Sequence, residues 1–64
     1  MRKVELFKRA IKFHNDHKDV IMVYKYNNTY VVSTRINNQV KRQFSNILHN
    51  ATQMFLIEKY RYFN

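Results

Sequence analysis

The residues best equipped for chemistry stand close together in the segment HNDHKD, at positions 14–19. His14 and His17 are three residues apart, and Asp16 and Asp19 lie beside them. A histidine pair at this spacing could share a metal ion or act as an acid and a base. Zinc sites, however, use three or four protein ligands, usually at more regular spacing. We therefore expect no bound metal and interpret the pair as partly exposed histidines at a helix C-terminus, where positive charge is favourable.

Other sequence features of enzymes are scarce. The chain has 4 acidic residues, and none of them forms an evident pair in sequence. It contains no glycine, which excludes a glycine-rich phosphate loop, and no cysteine, which excludes disulfides and thiolate metal sites. We therefore predict a non-enzymatic binding protein without a cofactor.

The charge balance of the chain favours a polyanionic partner. Lys and Arg number 12 against 4 Asp and Glu, a formal net charge of +8. A charge of this size on a small domain attracts polyanions and repels further copies of the chain. The candidate partners are nucleic acid, a nucleoprotein complex, an acidic protein surface and anionic lipid.

The hydropathy pattern argues against a membrane protein. No run approaches the ~20 consecutive apolar residues that a membrane-spanning helix needs. The amino-terminal stretch MRKVELFKRAIKF is interrupted by charged residues and lacks the cleavage site of a signal peptide. We therefore expect a cytoplasmic protein with no membrane partner.

The length of 64 residues predicts a single small domain, 1–64, of marginal stability, and the helix and strand patterns described below make it an α+β domain. Five Phe and five Tyr offset the lack of disulfides, and association into a homodimer remains open. Glycine and proline, whose codons are GC-rich, are both absent, whereas Asn, Lys, Ile and Tyr abound. This composition suggests an AT-rich genome, and a short, strongly basic reading frame of that kind suits a phage or another mobile element.

Residues 3–16 have the periodicity of an amphipathic helix. At 100° per residue, one face of this helix is mostly apolar, and charged side chains share the other face. The mostly apolar face carries Val4, Phe7, Ala10, Ile11 and His14. The charged face carries Arg2, Glu5, Lys8, Arg9, Lys12 and Asp16. Its cations are one candidate binding surface, although pairs of opposite charge at i,i+4 spacing also fit an ordinary solvated face.

The segments 20–26 and 29–36 are rich in β-branched and aromatic residues, which favour strands. Asn27 and Asn28 between them fit a two-residue type I′ turn, because asparagine tolerates positive φ. The resulting register pairs Tyr26 with Thr29, Tyr24 with Val31, Met22 with Ser33 and Val20 with Arg35. The opposite face of the hairpin is richer in aliphatic side chains, so we place that face on the core and expect the paired residues to face outward.

The second asparagine pair, Asn37-Asn38, precedes apolar residues at helical spacing and is predicted to cap a second helix. The apolar stripe breaks at Glu58, so this helix either stops near residue 56 or continues with a partly exposed end. A third strand at 55–63 is the other alternative.

The predicted fold is therefore α-β-β-α, with an antiparallel β-hairpin packed on two helices and a third, C-terminal strand as the alternative. Tyr30 is expected to face the core layer. The predicted core consists of Phe7, Ile11, Val23, Val32, Phe44, Ile47, Leu48 and Ala51.

The tyrosines are the most distinctive candidates for binding. Tyr24 and Tyr26 on the outer sheet face lie near cations, and this mixture fits the stacking of bases on aromatic rings while cations hold phosphates. Alternatively, a second copy or another protein covers these rings. The basic dipeptide at 41–42 would oppose the dipole at the start of the second helix, a small cost that phosphate binding would explain. The full set of candidate binding residues is Arg2, Lys8, Arg9, Lys12, Tyr24, Lys25, Tyr26, Arg35, Lys41 and Arg42.

Two functions fit these features. The first is a small phage-type regulator that binds nucleic acid or a nucleoprotein complex through Lys, Arg and Tyr. The second is a protein-binding inhibitor that blocks an acidic or nucleic-acid-binding surface of a host or defence enzyme, such as a nuclease. Both functions predict binding without turnover, and they differ in the partner and in the dependence of affinity on salt.

Overall fold

The computed structural model describes residues 3–63, and these form an antiparallel sheet of four strands followed by one helix. The elements are β1 (Glu5–Phe13), β2 (Lys18–Tyr26), β3 (Thr29–Ile36), β4 (Gln39–Ser45) and α1 (Leu48–Phe63). Strand order in the sheet follows the chain, and α1 packs on one face against β2, β3 and β4. The predicted α-β-β-α fold with two helices is therefore wrong, and so is the alternative strand at 55–63, which belongs to α1.

Strand β1 occupies the segment predicted to be the first helix, and it pairs antiparallel with β2. Its register shifts between Leu6 and Lys8, so Phe7 forms a β-bulge without a partner in β2. Leu6 and Arg9 consequently face the same side of the sheet although they are three residues apart. The bulge interrupts the period-two alternation of a regular strand, so the sequence of β1 lacks the usual strand signal.

The structure confirms the predicted hairpin of β2 and β3. Asn27 and Asn28 form the turn, and their φ angles of 51° and 61° are both positive, as a type I′ turn requires. The two strands pair in the predicted register, beginning with Tyr26 opposite Thr29. Tyr30 packs against the core, also as predicted.

The second asparagine pair forms a second turn of the same kind. Asn37 and Asn38 have φ angles of 52° and 66° and connect β3 to β4. The prediction that they cap a helix is therefore wrong. Asparagine serves both N-caps and type I′ turns, and here the pairing of the following residues with β3 selects the turn.

Strand β4 takes the place of the first part of the predicted second helix. Val40 and Phe44 are four residues apart, a spacing that fits one face of a helix and also one face of a strand. Both lie on β4, opposite Arg35 and Val31 of β3. The helix therefore starts later than predicted, at Leu48.

Helix α1 begins after a serine turn at the end of β4. The Ser45 hydroxyl accepts a hydrogen bond from the Ile47 N–H at 3.1 Å, and the Ile47 carbonyl accepts one from the Ala51 N–H at 3.1 Å. Arg61 lies in the last turn, where the helix dipole favours a cation. The helix continues past Glu58, at which the apolar stripe breaks, because that carboxylate has partners on β4.

The core lies between α1 and the sheet face that the helix covers. Its buried side chains are Ile21, Val23, Val32, Ala51 and Phe55, with Ala10, Tyr30, Ile36, Met54 and Phe63 packed around them. The prediction of Val23, Val32 and Ala51 as core residues is confirmed. Wrongly predicted as buried core are Phe7, Ile11, Phe44, Ile47 and Leu48. Phe44 is the clearest error, because it is 62% exposed on the face away from the helix.

Candidate functional site

The two faces of the sheet have different surroundings, because successive strand residues point to opposite sides. The helix α1 covers one face, and no element formed by residues 3–63 covers the other. We call this second surface the open face. It comprises Val4, Leu6, Arg9, Ile11, Phe13, Lys18, Val20, Met22, Tyr24, Tyr26, Thr29, Val31, Ser33, Arg35, Val40, Arg42 and Phe44.

The sheet register arranges the open face in rows that cross all four strands. One of them, the aromatic row, consists of Leu6, Tyr24, Val31 and Phe44. The next, the arginine row, consists of Arg9, Met22, Ser33 and Arg42. These two rows are two residues, or about 7 Å, apart along β2, β3 and β4, and three residues apart along β1 because of the bulge at Phe7. The register thus places aromatic rings beside guanidinium groups that belong to distant parts of the chain.

The open face carries cations without carboxylates. Its cations are Arg9, Lys18, Arg35 and Arg42. None of them forms an ion pair with another residue in the range 3–63. Arg35 does donate a hydrogen bond to the side-chain oxygen of Asn38, at 3.4 Å. The positive charge of the open face is therefore not compensated by neighbouring side chains of the described chain.

The acidic residues lie elsewhere. Glu5 is opposite Lys25, whose ammonium lies over the ring of a covered-face tyrosine, so Glu5 points to the covered side. Asp16 and Asp19 contact histidines in the β1–β2 turn, and Glu58 is a buried residue of α1 itself. This segregation separates the charge of the open face from all four carboxylates.

Aromatic side chains on the open face differ in exposure. Tyr24 and Tyr26 are half-buried within the sheet surface, whereas Phe13 and Phe44 lie on the outer strands and are 75% and 62% exposed. The two tyrosine rings are therefore recessed in the sheet surface, and the two phenylalanine rings protrude from it.

Two shallow depressions lie next to each other on the open face. One, of about 400 Å³, is lined by Arg9, Lys18 and Arg35, and the other, of about 520 Å³, is lined by both open-face tyrosines. Both depressions share Met22, Ser33 and Arg42 in their walls. A bound chain could therefore pass from the cationic depression to the aromatic one without leaving the sheet surface.

The structure divides the predicted binding residues between the two faces. It brings together on the open face Arg9, Tyr24, Tyr26, Arg35 and Arg42. It places on the covered side Lys8, Lys12, Lys25 and Lys41. The predicted basic helical face does not exist, because strand alternation sends Arg9 to one side and its neighbouring lysines to the other. Arg2 lies outside the described residues.

The site prediction omits several residues that the open face contains. They are Val4, Leu6, Phe13, Lys18, Met22, Val40 and Phe44. For Val40 and Phe44 the sequence does contain a signal, since with Arg42 they alternate along QVKRQFS at a period of two. For β1 the bulge at Phe7 removes that signal.

Buried Glu58 neutralises a cation on the covered side. Its Oε1 accepts hydrogen bonds from Lys41 Nζ and Gln43 Nε2, both at 3.0 Å, and its Oε2 lies 3.8 Å from Arg61 Nη1. This network ties α1 to β4. Lys41 is therefore used for structure, unlike Arg42 beside it.

The solvent side of α1 is a second exposed apolar surface. Leu56 and Ile57 are about half exposed, and Tyr60 is more so. Leu56 and Tyr60 line a shallow depression with Lys59 and Phe63. Exposed apolar area of this kind is typical of a surface that contacts protein.

Histidines and aspartates form a cluster in the turn between β1 and β2. His14 Nε2 lies 2.8 Å from Asp19 Oδ2, and His17 Nε2 lies 3.4 Å from Asp19 Oδ1. His17 Nδ1 lies 2.7 Å from Asp16 Oδ1, and the two imidazole rings stack with centroids 4.4 Å apart. The side chains of His14, His17 and Asp19 could hold a metal ion, since their ligand atoms all lie within 4.8 Å of one another.

The carboxylates of this cluster are stabilised in their charged form. The pKa of Asp19 is lowered chiefly by the hydrogen bond from the Asn37 N–H, at 3.1 Å, against the opposing effect of burial, and His14 lowers it further. The pKa of Asp16 is lowered chiefly by its hydrogen bond with His17. Because Asn37 belongs to the β3–β4 turn, Asp19 also connects the two turns at this end of the sheet.

Comparisons with known proteins identify no relative: no family model matches the chain, and no curated protein or solved structure is significantly similar to it. Within residues 3–63, no helix is both long and apolar enough to cross a membrane.

Proposed function

We propose that the protein binds single-stranded nucleic acid on the open face of its sheet, without turnover. One observation carries this proposal: aromatic rings and uncompensated arginines share a solvent-facing surface on which residues 3–63 place no carboxylate. A partner for such a surface combines flat apolar groups with regularly spaced negative charges, which describes bases joined by phosphates.

Each row of the open face has its own part in this binding. The rings of Tyr24 and Phe44 in the aromatic row stack on bases, an interaction that every base can make. Arg9 and Arg42, at the two ends of the arginine row, hold phosphates through planar forks of donors. Lys18 extends the positive surface toward the β1–β2 turn and strengthens capture from a distance.

The shape of the open face favours a single strand over a duplex. Bases in a duplex are stacked on each other and have no free face for tyrosine or phenylalanine. No helix formed by residues 3–63 projects from the open face to enter a groove, since α1 lies on the other side. Binding therefore depends on accessible bases and carries little sequence preference.

Two double variants with equal loss of charge test the proposal. Arg9→Gln with Arg42→Gln removes two cations from the open face, whereas Lys8→Gln with Lys12→Gln removes two from the covered side. Fluorescence anisotropy with a labelled 12-nucleotide single strand, DNA or RNA, measures affinity at several salt concentrations. We expect the arginine variant to lose at least tenfold in affinity and to reduce the salt slope by about 1.4, or 0.7 for each lost phosphate contact.

The lysine variant controls for net charge alone, and we expect it to lose less than threefold. Equal losses in both variants would show that charge acts without a defined site, and would reject the open face. A wild-type protein that binds neither single strand at low salt would reject nucleic acid as the partner.

A protein partner is the second candidate, and the exposed apolar side of α1 favours it. In this case the chain would act as an inhibitor that occupies an acidic or nucleic-acid-binding surface of an enzyme. Leu56→Ser with Tyr60→Ser would then abolish capture of that partner from a nuclease-treated lysate, while leaving oligonucleotide binding unchanged. A second copy is a poorer occupant of the open face, because a symmetric contact would bring its arginines together.

A further inference from the structure

The turn between β1 and β2 contains a nitrogen atom whose surroundings favour a bound cation. His17 Nδ1 lies 2.7 Å from the Asp16 carboxylate, which only accepts hydrogen bonds, so Nδ1 carries the proton of the neutral ring. His17 Nε2 is then a bare lone pair, buried and without a hydrogen-bond partner, 3.4 Å from Asp19 Oδ1. Two electron-rich atoms face each other there, and a cation between them would remove the conflict.

The geometry points to a binding site for one divalent transition-metal ion of the zinc class, held by His14 Nε2, His17 Nε2 and the carboxylate of Asp19. Metal–ligand bonds of about 2.0–2.2 Å in tetrahedral geometry place ligand atoms about 3.4 Å apart. The distances from Asp19 to the two histidine nitrogens are 2.8 and 3.4 Å, and all the ligand atoms lie within 4.8 Å of one another. The site therefore needs only small adjustments, and water completes the fourth position.

Two features support the ligands from outside the site. Asp16 accepts a hydrogen bond from His17 Nδ1, the arrangement that fixes the tautomer and orientation of metal-binding histidines. The Asn37 N–H holds the nearly buried carboxylate of Asp19 from the neighbouring turn. Sequence spacing alone predicts no metal because it places only two histidines together, and the folded β1–β2 turn adds Asp19 as the third ligand.

Metal binding at this site would stabilise one end of the sheet. His14 lies at the end of β1, Asp19 lies in β2, and Asn37 ties that carboxylate to the β3–β4 turn. A metal ion that binds only the folded chain raises the melting temperature, by about 20 °C at a free concentration one hundred times its dissociation constant for a chain of this length.

The test uses the full chain, produced without a histidine tag and stripped with a chelator. Isothermal titration with Zn²⁺ alone should give one ion per chain, and thermal unfolding should shift upward. Mg²⁺ and Ca²⁺ should cause no shift, because these ions prefer all-oxygen ligands. NMR of the imidazole nitrogens should show that zinc perturbs Nε2 of both His14 and His17, which a purely structural cluster would not do.

Matched variants complete the test. His14→Ala and His17→Ala should each lose stoichiometric zinc binding, whereas His49→Ala, on the exposed first turn of α1, should retain it. Asp19→Asn keeps an oxygen acceptor for the Asn37 N–H and should weaken zinc binding at least tenfold. The melting temperature of each variant is also measured in the presence of a chelator. A variant that melts like the metal-free wild type has lost the ion and not the fold.

Three results would overturn the inference. The first is a wild-type melting temperature that zinc does not raise. The second is a loss of zinc binding in His49→Ala as large as in the His14 and His17 variants. The third is zinc binding that persists when both His14 and His17 are replaced by alanine. Oligonucleotide binding by the open face depends on none of these outcomes.

Discussion

The two faces of the sheet are built from the same strands but use their residues differently. Val23 and Tyr24 are adjacent in β2, yet Val23 is completely buried under α1 and Tyr24 lies on the open face. Lys41 and Arg42 are adjacent in β4, yet Lys41 is paired with Glu58 whereas Arg42 has no ion pair within the described chain. On the covered face, side chains pack against α1 or pair with its Glu58, whereas the open face exposes aromatic and cationic groups to solvent.

Residue type alone therefore does not decide the role of a position in this protein. Phenylalanine stabilises the fold at Phe55 and is mostly exposed at Phe44. The decisive quantity is which side of the sheet a residue occupies relative to α1. Paired substitutions on opposite faces therefore test the comparison directly.

The largest expected effect comes from removing the same ring on the two faces. Phe55→Ala should lower the free energy of unfolding by about 3–5 kcal/mol, because Phe55 is 5% exposed in the core. Phe44→Ala should change it by less than about 0.5 kcal/mol, as for other exposed positions. Urea denaturation followed by circular dichroism measures both. Comparable losses in the two variants would mean that the open face is covered in solution.

A smaller contrast is expected between two tyrosines of the hairpin. Tyr24→Ala should weaken oligonucleotide binding by about 1–3 kcal/mol, the range for a stacked base, and should leave the fold intact. Tyr30→Ala should lower the free energy of unfolding by about 2 kcal/mol, because its ring packs on the core and lies 5.7 Å from the ring of Phe7. Anisotropy and thermal unfolding together separate these effects. If Tyr24→Ala unfolds the protein, its ring is core and not a binding surface.

The smallest effect is expected for the adjacent cations of β4. Lys41→Ala should cost about 1 kcal/mol of stability, since Lys41 is half exposed but donates a hydrogen bond to buried Glu58 at 3.0 Å. Arg42→Ala should leave stability unchanged and lower affinity for single-stranded nucleic acid. Thermal unfolding and fluorescence anisotropy with a labelled oligonucleotide, both measured on the two variants, check this. If Lys41→Ala weakens binding as much as Arg42→Ala does, the two faces do not differ in their roles at this position.

The parts of the fold that were correctly predicted depend on residues close in sequence. The Asn27-Asn28 turn and the register of β2 with β3 follow from one two-residue loop, and a loop of that length fixes the pairing of its flanking strands. The same logic applies to Asn37-Asn38, but there the helical spacing of the following apolar residues favours an N-cap. A spacing of four fits both a helix and a strand, so periodicity alone could not decide between them.

The candidate site could be predicted only in part. Tyr24, Tyr26 and Arg35 lie on the hairpin whose register is predictable, and their common face follows from alternation. Arg9 joins them only because β1 is a strand with a bulge that reverses its alternation, whereas the apolar periodicity of that segment favours a helix. Arg42 joins them only because β4 pairs with β3.

Three properties follow from the amino-acid sequence alone: the charge of +8, the lack of glycine that leaves tight turns to asparagine, and the pairing of β2 with β3. These properties are local or compositional, so they do not depend on the rest of the fold. Only the tertiary structure decides that α1 covers one face, that Arg9 and Arg42 share a row of the other, and that Asp19 meets two histidines and the β3–β4 turn. The physical reason is that strand pairing and helix packing select one of several local conformations with similar intrinsic preference, and this selection requires partners distant in sequence.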